Sequence, residues 1–363
     1  MLHTTCSDVA IIPGPPALYL RTNLNICKYT DFFIMMYLGR NTLGAAPSVS
    51  YGWKGKQTDL KFSRDPWVEQ LSSSPRAFYY HNFLSDAEAE HLIKLAQPYM
   101  QRSTVVGDGS GGVVNDIRTS YGTFLRRMQD DVVTGMERRL ALWTHLNVSH
   151  QEDVQILRYG IGQKYGAHYD SLINDSPRLA TVLVYLADTE EGGETAFPQN
   201  SEWIDPDLPS RLGPFSSCAR GHVAARPRKG DALLFFSMRH DGSTDPAALH
   251  TGCPVVRGVK WTATIWIHTE PFRPHLLEKE YSNEPAPLPD DCRDLHERCA
   301  DWARTGECKN NPHFMLGWAG TVGTCRLACG ACRQCEQTDY ACRSENREKG
   351  GYLPLDLETG EII

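Results

Sequence analysis

The spacing of apolar positions divides the chain into helical and strand-forming stretches. The run FLSDAEAEHLIKLAQPYM carries Ser85 and Glu88 in the S-x-x-E arrangement that caps a helix start, ahead of Leu92, Ile93 and Leu95. In DDVVTGMERRLALWTHL, Val132, Val133, Met136, Leu140 and Trp143 recur at helical spacing, which predicts a second helix. After Val154 the period changes. VQILRYGIGQKYG, ATVLVYLAD, DALLFFSM and WTATIWIHTEPF are short β-rich runs bounded by Gly, Pro and Asp, while EGGETAFP and RKGDALLFF set a glycine turn directly before a strand. Several such runs without intervening helices predict a mainly β fold with flanking helices, an antiparallel barrel or jelly roll rather than a parallel α/β sheet.

The flanks have a different character. Residues 1–60 have no sustained period and are rich in Gly, Pro and Ser, so they read as leader and linker, with the globular chain starting near Pro75. Their most apolar run, FFIMMYLG from Phe32, is interrupted by Arg40 and falls short of the roughly 20 residues that cross a bilayer. A weak signal peptide, a truncated signal-anchor that would tether the protein to a membrane, and a disordered leader all stay open. Residues 75–275 form one large domain. The segment EYSNEPAPLPDD, within 276–291, reads as a proline-rich linker.

Composition sharpens this picture in two ways. The 44 Asp and Glu against 37 Lys and Arg ask for no nucleic acid, so an acidic ligand must be met by local cations. Eight of the twelve cysteines lie between Cys292 and Cys342, a density typical of small domains that replace a core with disulfides. An oxidising compartment follows, meaning the secretory pathway, endoplasmic reticulum or Golgi. The sequons at Asn147 and Asn174 are compatible with it.

The candidate chemistry lies in YGAHYD and ALHTGCPVVRGVKW. His168 and Asp170 are two apart and would share one face of a strand. With His250 they make a set of two imidazoles and one carboxylate that would leave three positions of an octahedral iron open. Lys260, ten residues after His250, sits in the apolar strand KWTATIWI, where an ammonium is costly to bury without an anionic partner.

From Pro75 to His268 the chain resembles the prolyl 4-hydroxylases of plants and algae, relatives of the collagen-modifying enzyme. RTSYGTFL, QILRYGIGQKYGAHYD, ATVLVYLADTEEGGETAFP, PRKGDALLFF and LHTGCPVVRGVKWTATIWIH carry the resemblance, in order. It implies a double-stranded β-helix core of the Fe(II)/2-oxoglutarate dioxygenase type, with His168, Asp170 and His250 as iron ligands. Lys260 is then expected at the distal carboxylate of 2-oxoglutarate, with Tyr159 bonding the same carboxylate and Thr181 flanking it. The implied reaction is decarboxylation of 2-oxoglutarate to succinate coupled to hydroxylation of peptidyl proline at C4, with ascorbate keeping the iron reduced. For a proline-rich peptide the resemblance nominates Tyr165, Arg178 and Trp261. Family members often carry a longer aromatic segment where this chain has SLINDSPRL, which leaves open another residue or amino acid as substrate, or a secreted binder of proline-rich chains without turnover. A free thiol at Cys253, three residues from His250, would be vulnerable beside iron, which favours a Cys218–Cys253 disulfide.

The spacing of Cys292, Cys299, Cys308, Cys325, Cys329 and Cys332, with WARTGEC and CRLACGAC, resembles the ShKT module. That resemblance implies the pairs Cys292–Cys332, Cys299–Cys325 and Cys308–Cys329 in a module over 292–332. Zinc held by CGACRQC is the competing reading. Residues 333–363 read as a tail in which Cys335 and Cys342 are left to pair with each other.

Overall fold

The computed structural model describes residues 65–103, 105–106, 112–113, 116–171, 176–277 and 286–363. The apolar run at Phe32 and the Asn174 sequon lie outside the described residues. Twelve strands form two antiparallel sheets. In chain order they are β1 (Trp67–Ser73), β2 (Arg76–His81), β3 (Gln101–Arg102), β4 (Tyr121–Leu125), β5 (Val154–Tyr159) and β6 (Tyr165–His168), then β7 (Arg178–Tyr185), β8 (Thr195–Phe197), β9 (Val223–Ala225), β10 (Ala232–Phe236), β11 (His250–Gly252) and β12 (Lys260–His268). The large sheet runs β1-β2-β10-β7-β12-β5-β4-β3 and the small one β9-β8-β11-β6. Apolar side chains of both meet in one core, where Leu71, Tyr79, Tyr185, Leu233 and Phe235 pack with Phe197, Val223 and Ala225. The mainly β expectation holds, and the two sheets stack face to face as a sandwich does.

The two expected helices are present. In α1 (Asp86–Ala96) the Ser85 hydroxyl accepts from the Glu88 N–H while the Glu88 carboxylate accepts from the Ser85 N–H at 2.8 Å. The capping box is therefore closed in both directions. In α2 (Asp131–Thr144), Asp130 caps the Val132 and Val133 N–H groups at 3.0 and 2.9 Å, and Val133, Met136 and Leu140 are buried. The helices pack against each other, and α1 against β4 and β5.

The fold begins earlier than Pro75. Strand β1 pairs with β2 as a hairpin through Ser74 and Pro75, and only its later residues, Leu71 and Ser72, are buried. WVEQLSS lacks clean alternation because it is an edge strand, exposed over its first half.

Among the described residues five disulfides are formed: Cys218–Cys253, Cys292–Cys332, Cys299–Cys325, Cys308–Cys329 and Cys335–Cys342. In 292–332 the cystines Cys299–Cys325 and Cys308–Cys329 surround Met315 and Leu316, so crosslinks substitute for a larger core. Residues 333–363 do not trail away. Tyr352, Leu353 and Leu355 are buried, the Leu353 N–H donates to the Met100 carbonyl at 3.0 Å, and the Arg102 N–H donates to Gly351 at 2.8 Å. Asp290 is the anchor of this region, accepting from Arg343 at 2.6 Å and from buried Arg347 at 3.0 Å. The final residues of the expected linker are thus part of a packed contact.

Candidate active site

Strand order explains why distant motifs meet. β6 and β11 are neighbours in the small sheet with His168 opposite His250, and β5 and β12 are neighbours in the large sheet with Tyr159 opposite Lys260. Between the sheets lies a narrow cavity whose walls include the two histidines, Asp170, Tyr159, Tyr165 and Lys260.

Each histidine is held by its own backbone. Nδ1 of His168 lies 2.8 Å from the Gly166 carbonyl, and Nδ1 of His250 lies 3.0 Å from that of Ala248. A carbonyl only accepts, so in each neutral ring Nδ1 carries the proton and Nε2 keeps its lone pair. Both Nε2 atoms face Asp170, at 3.5 Å from Oδ1 for His168 and 3.6 Å from Oδ2 for His250. Among the described residues these three form a group that could hold a metal, one ligand atom from each lying within 4.8 Å of the others. Burial pushes His250 down to about 4, helped by His168, which keeps the ring a lone-pair donor at neutral pH. Burial alone would raise the Asp170 carboxyl, but His250 and His168 outweigh it and hold it well below its ordinary value. Two imidazoles and one carboxylate, each with a ligand atom within 4.8 Å of the others, suit a divalent iron.

Lys260 is 4% exposed and forms no ion pair among the described residues. Burial drives its ammonium down to about 7, opposed by Glu194, whose own oxygens accept from the Ser216 N–H and hydroxyl at 2.7 and 2.8 Å. Nζ lies 5.4 Å from the centre of the Tyr159 ring. Burial, its largest influence, raises the Tyr159 hydroxyl, so it remains a proton donor near neutrality. The alternate residues of the same strand, Thr262, Thr264 and Trp266, also line the cavity, and their Oγ1, Oγ1 and Nε1 atoms are buried without a hydrogen-bond partner among the described residues. Buried donors left open along one strand face are satisfied when a polar ligand enters.

One expected contact is corrected by this geometry, and another gains a hydrogen-bond partner. Trp261 does not face the cavity: the strand's even-numbered residues do, so Trp261 is turned to the other face with Ala263 and Ile265. Trp266 is the tryptophan that lines it. Thr181 lies on the wall, but its hydroxyl donates to Asp170 Oδ2 at 2.7 Å. It therefore orients the carboxylate from the wall of the cavity that Lys260 and Tyr159 also line.

Of the other nominated residues, Tyr165 lines the cavity and Arg178 lies behind its wall residue Trp266. Tyr165 stacks on His168 with ring centres 3.6 Å apart, and the Arg118 guanidinium lies 4.7 Å above the Tyr165 ring. Arg178 is bound to Glu152 at 2.6 Å and lies 3.9 Å over Trp266, so its charge is engaged and is not freely solvated. Arg118 and Gln155, joined at 2.9 Å, were not singled out from the sequence. The period-2 pattern that puts Gln155 on the same face as Leu157 and Tyr159 could have found the glutamine. Next to His250, the Cys218–Cys253 cystine fixes the chain leaving β11, where the Cys253 N–H donates to Glu194 at 2.8 Å.

Comparison with known proteins agrees with this geometry. The family model of the 2OG-Fe(II) oxygenase superfamily matches residues 154–268, the span holding the triad and Lys260. Prolyl 4-hydroxylase 2 of Arabidopsis thaliana is 43% identical over 272 residues, covering 73% of this chain and 88% of that one. The chain belongs to the prolyl 4-hydroxylase family. Probable prolyl 4-hydroxylase 6 of the same plant is 44% identical over 284 residues, 76% of this chain and 93% of its own. Among solved structures, the viral collagen prolyl hydroxylase of Paramecium Bursaria Chlorella virus-1 in its 2-oxoglutarate complex is 26% identical, covers 53% of this chain and 96% of that one, and has a TM-score of 0.40. As a prolyl 4-hydroxylase family member the chain is a dioxygenase that uses Fe(II) and 2-oxoglutarate.

Proposed function

We propose that the protein hydroxylates peptidyl proline at C4 in proline-rich chains of the secretory pathway, with release of succinate and carbon dioxide. The observation that carries this reading is the convergence of His168, Asp170 and His250 in a cavity that also buries Lys260, which forms no ion pair among the described residues. Bound iron and 2-oxoglutarate would supply the oxidative decarboxylation that activates oxygen, with ascorbate as the reductant that keeps the iron ferrous. The chain does the rest. His168 and His250 present Nε2 and Asp170 an oxygen to the metal, while Thr181 and the carbonyls of Gly166 and Ala248 hold those three in orientation. Lys260 and the Tyr159 hydroxyl meet the distal carboxylate of the cosubstrate, a charge-assisted pairing in a water-poor pocket.

Tyr165, Arg118, Gln155 and Trp266 offer a proline-rich segment flat ring faces and polar groups beside the metal. Such a segment, in polyproline II form, has free carbonyls and no internal hydrogen bonds. Five disulfides favour an oxidising lumen. The test is mass spectrometry of a poly-proline peptide incubated with the protein, iron, ascorbate and 2-oxoglutarate. One oxygen added per modified proline is expected; cosubstrate turnover with no oxygen on proline would move the activity to another residue or substrate.

A further inference from the structure

Of the three large aromatics in the disulfide module of residues 292–332, Trp302 packs against the core and the other two lie outside. Phe314 is 43% and Trp318 44% exposed, and Leu295 beside them is 42% exposed. The rings form connected pairs: His296 with Trp302 at 4.6 Å, Trp302 with Phe314 at 5.6 Å, and His313 with Trp318 at 5.1 Å, nearly parallel. The backbone draws Leu295 into the same patch, since its N–H donates to Thr324, whose own N–H donates to Phe314. A small crosslinked domain has no folding reason to leave two large aromatics in water, and exposed apolar clusters of this kind mark interaction surfaces.

Charge helps to decide the partner. In this module Arg293, Arg298, Arg304, Lys309 and Arg326 are offset by Asp294, Glu297, Asp301 and Glu307, which leaves no basic field for an anionic membrane. Flat aromatic faces interspersed with histidine and arginine donors, with Arg298 5.3 Å above Trp302, suit a polyproline II helix, whose rings stack on aromatics and whose carbonyls are unsatisfied.

Position supports the same partner. The turn after Trp318 is docked on the catalytic domain: the Gly320 N–H donates to Gln101 Oε1 at 2.8 Å, and a Cβ at Gly320 would collide with the Thr123 hydroxyl on β4. Arg118, at the cavity wall, is five residues before Thr123 on the same stretch of chain. At about 3.3 Å per residue that stretch of chain spans about 16 Å, so the module is docked on the segment that leads into the cavity wall. A polyproline II chain advances about 3.1 Å per residue, so a peptide of about 20 residues is long enough to leave the cavity and run along the neighbouring surface.

We propose that the Trp318–Phe314 surface is a second docking site for the proline-rich substrate chain, holding a long substrate while one of its prolines occupies the cavity. The proposal rests on the function given above, deepening it from a single-proline site to a two-point reader of long chains. Two-point attachment raises effective concentration without any new contact at the metal.

The decisive experiment compares full-length protein with the Phe314→Ala/Trp318→Ala double variant on poly-proline peptides of about 5 and about 20 residues. In the parent, KM for the long peptide should be lower by roughly fivefold or more, and in the variant that gap should close, with kcat and short-peptide KM unchanged. Trp318→Tyr, which keeps a flat ring, should retain most of the gap. Titration of the same long peptide into His168→Ala protein, with and without the two alanines, reads docking without chemistry, so a wrong reaction assignment and a wrong docking surface give different results. The proposal is overturned if the length effect survives the double variant, or if the alanines abolish self-association or vesicle binding while peptide affinity stays the same.

Discussion

Around the triad, side chains are held by strand pairing and single hydrogen bonds and face inward; in the disulfide module they are held by covalent bonds, and Phe314 and Trp318 face outward. The cavity buries polar atoms that have no hydrogen-bond partner among the described residues, those of Thr262, Thr264 and Trp266, beside the buried Lys260 side chain, in a region rich enough in apolar core to bear the cost. In the module Cys299, Cys325 and Met315 are nearly all there is inside, so three cystines replace core and the surface is released for other use. The difference teaches where each region is vulnerable. The site should fail through its polar contacts, and the module through its crosslinks.

The largest effect is expected from the ligands themselves. His168→Ala or His250→Ala should lower hydroxylation by about a thousandfold or more, in keeping with the loss seen when a group that acts as part of a unit is removed. Iron binding read by calorimetry should weaken in parallel, and chelation of the parent should reproduce the loss of activity. Turnover by His168→Ala at saturating iron would remove it from the ligand set.

Next comes Lys260. Leaving a buried charge without its partner costs about 3–5 kcal/mol, which is about two to four orders of magnitude in affinity. Lys260→Ala should therefore raise KM for 2-oxoglutarate steeply with iron affinity preserved, and Lys260→Arg should be milder. The parent's pH profile carries the same information. Its ammonium, depressed to about 7 from an ordinary 10.5 by burial, deprotonates early in the cosubstrate-free protein. Cosubstrate affinity should fall as pH rises above about 7, because the charged form is the one that binds. Stability of the free protein should move the other way, rising from about pH 7 to 10.5, because there the unfolded chain holds the proton that the folded one has lost. Flat affinity from pH 6.5 to 9 would separate Lys260 from the cosubstrate.

A smaller effect should follow from Thr181→Val, which keeps the shape and removes the hydroxyl that bonds Asp170. Loss of a contact that orients a metal ligand typically costs about 10–100-fold in metal affinity or activity. Iron affinity should drop while KM for 2-oxoglutarate stays near the parent value; the opposite pattern would return Thr181 to the cosubstrate.

How much of this was legible in the chain follows the same division. His168, Asp170 and His250 could be read together because the spacing of HYD and the apolar setting of Lys260 are local signals. The strand period also carried the information that Trp261 and Trp266, five apart, lie on opposite faces, and there the expectation named the wrong one. Thr181 needed the third dimension, since its partner Asp170 lies eleven residues earlier on another element. Asp290 reads as the end of a proline-rich linker until Arg343 and Arg347 come round to it, more than fifty residues later. Outward-facing Phe314 and Trp318 had no signal, because in a module with so little core an aromatic is not evidence of burial.

The smallest effect on chemistry should come from breaking the module's own fastening. Cys308 and Cys329 close a loop of sequence separation 21 beneath the aromatic surface, and removing a bond of that loop length costs about 3 kcal/mol in the chain-entropy account. The Cys308→Ser/Cys329→Ser variant should make the module easier to cleave with protease or to open with urea. The triad lies in the other region, held by β6 and β11 and by Cys218–Cys253, none of which passes through residues 292–332. Uncoupled 2-oxoglutarate decarboxylation should therefore stay within about twofold of the parent, the range expected when sites share no contacts. The docked tail makes this a demanding test: Gly351 and Leu353 bond Arg102 and Met100 of the catalytic domain, and Arg326 of the module donates to the Asn346 carbonyl at 2.9 Å. If decarboxylation falls with module opening, the strain passes along that route into β3 and the large sheet, and the two regions work as one mechanical unit.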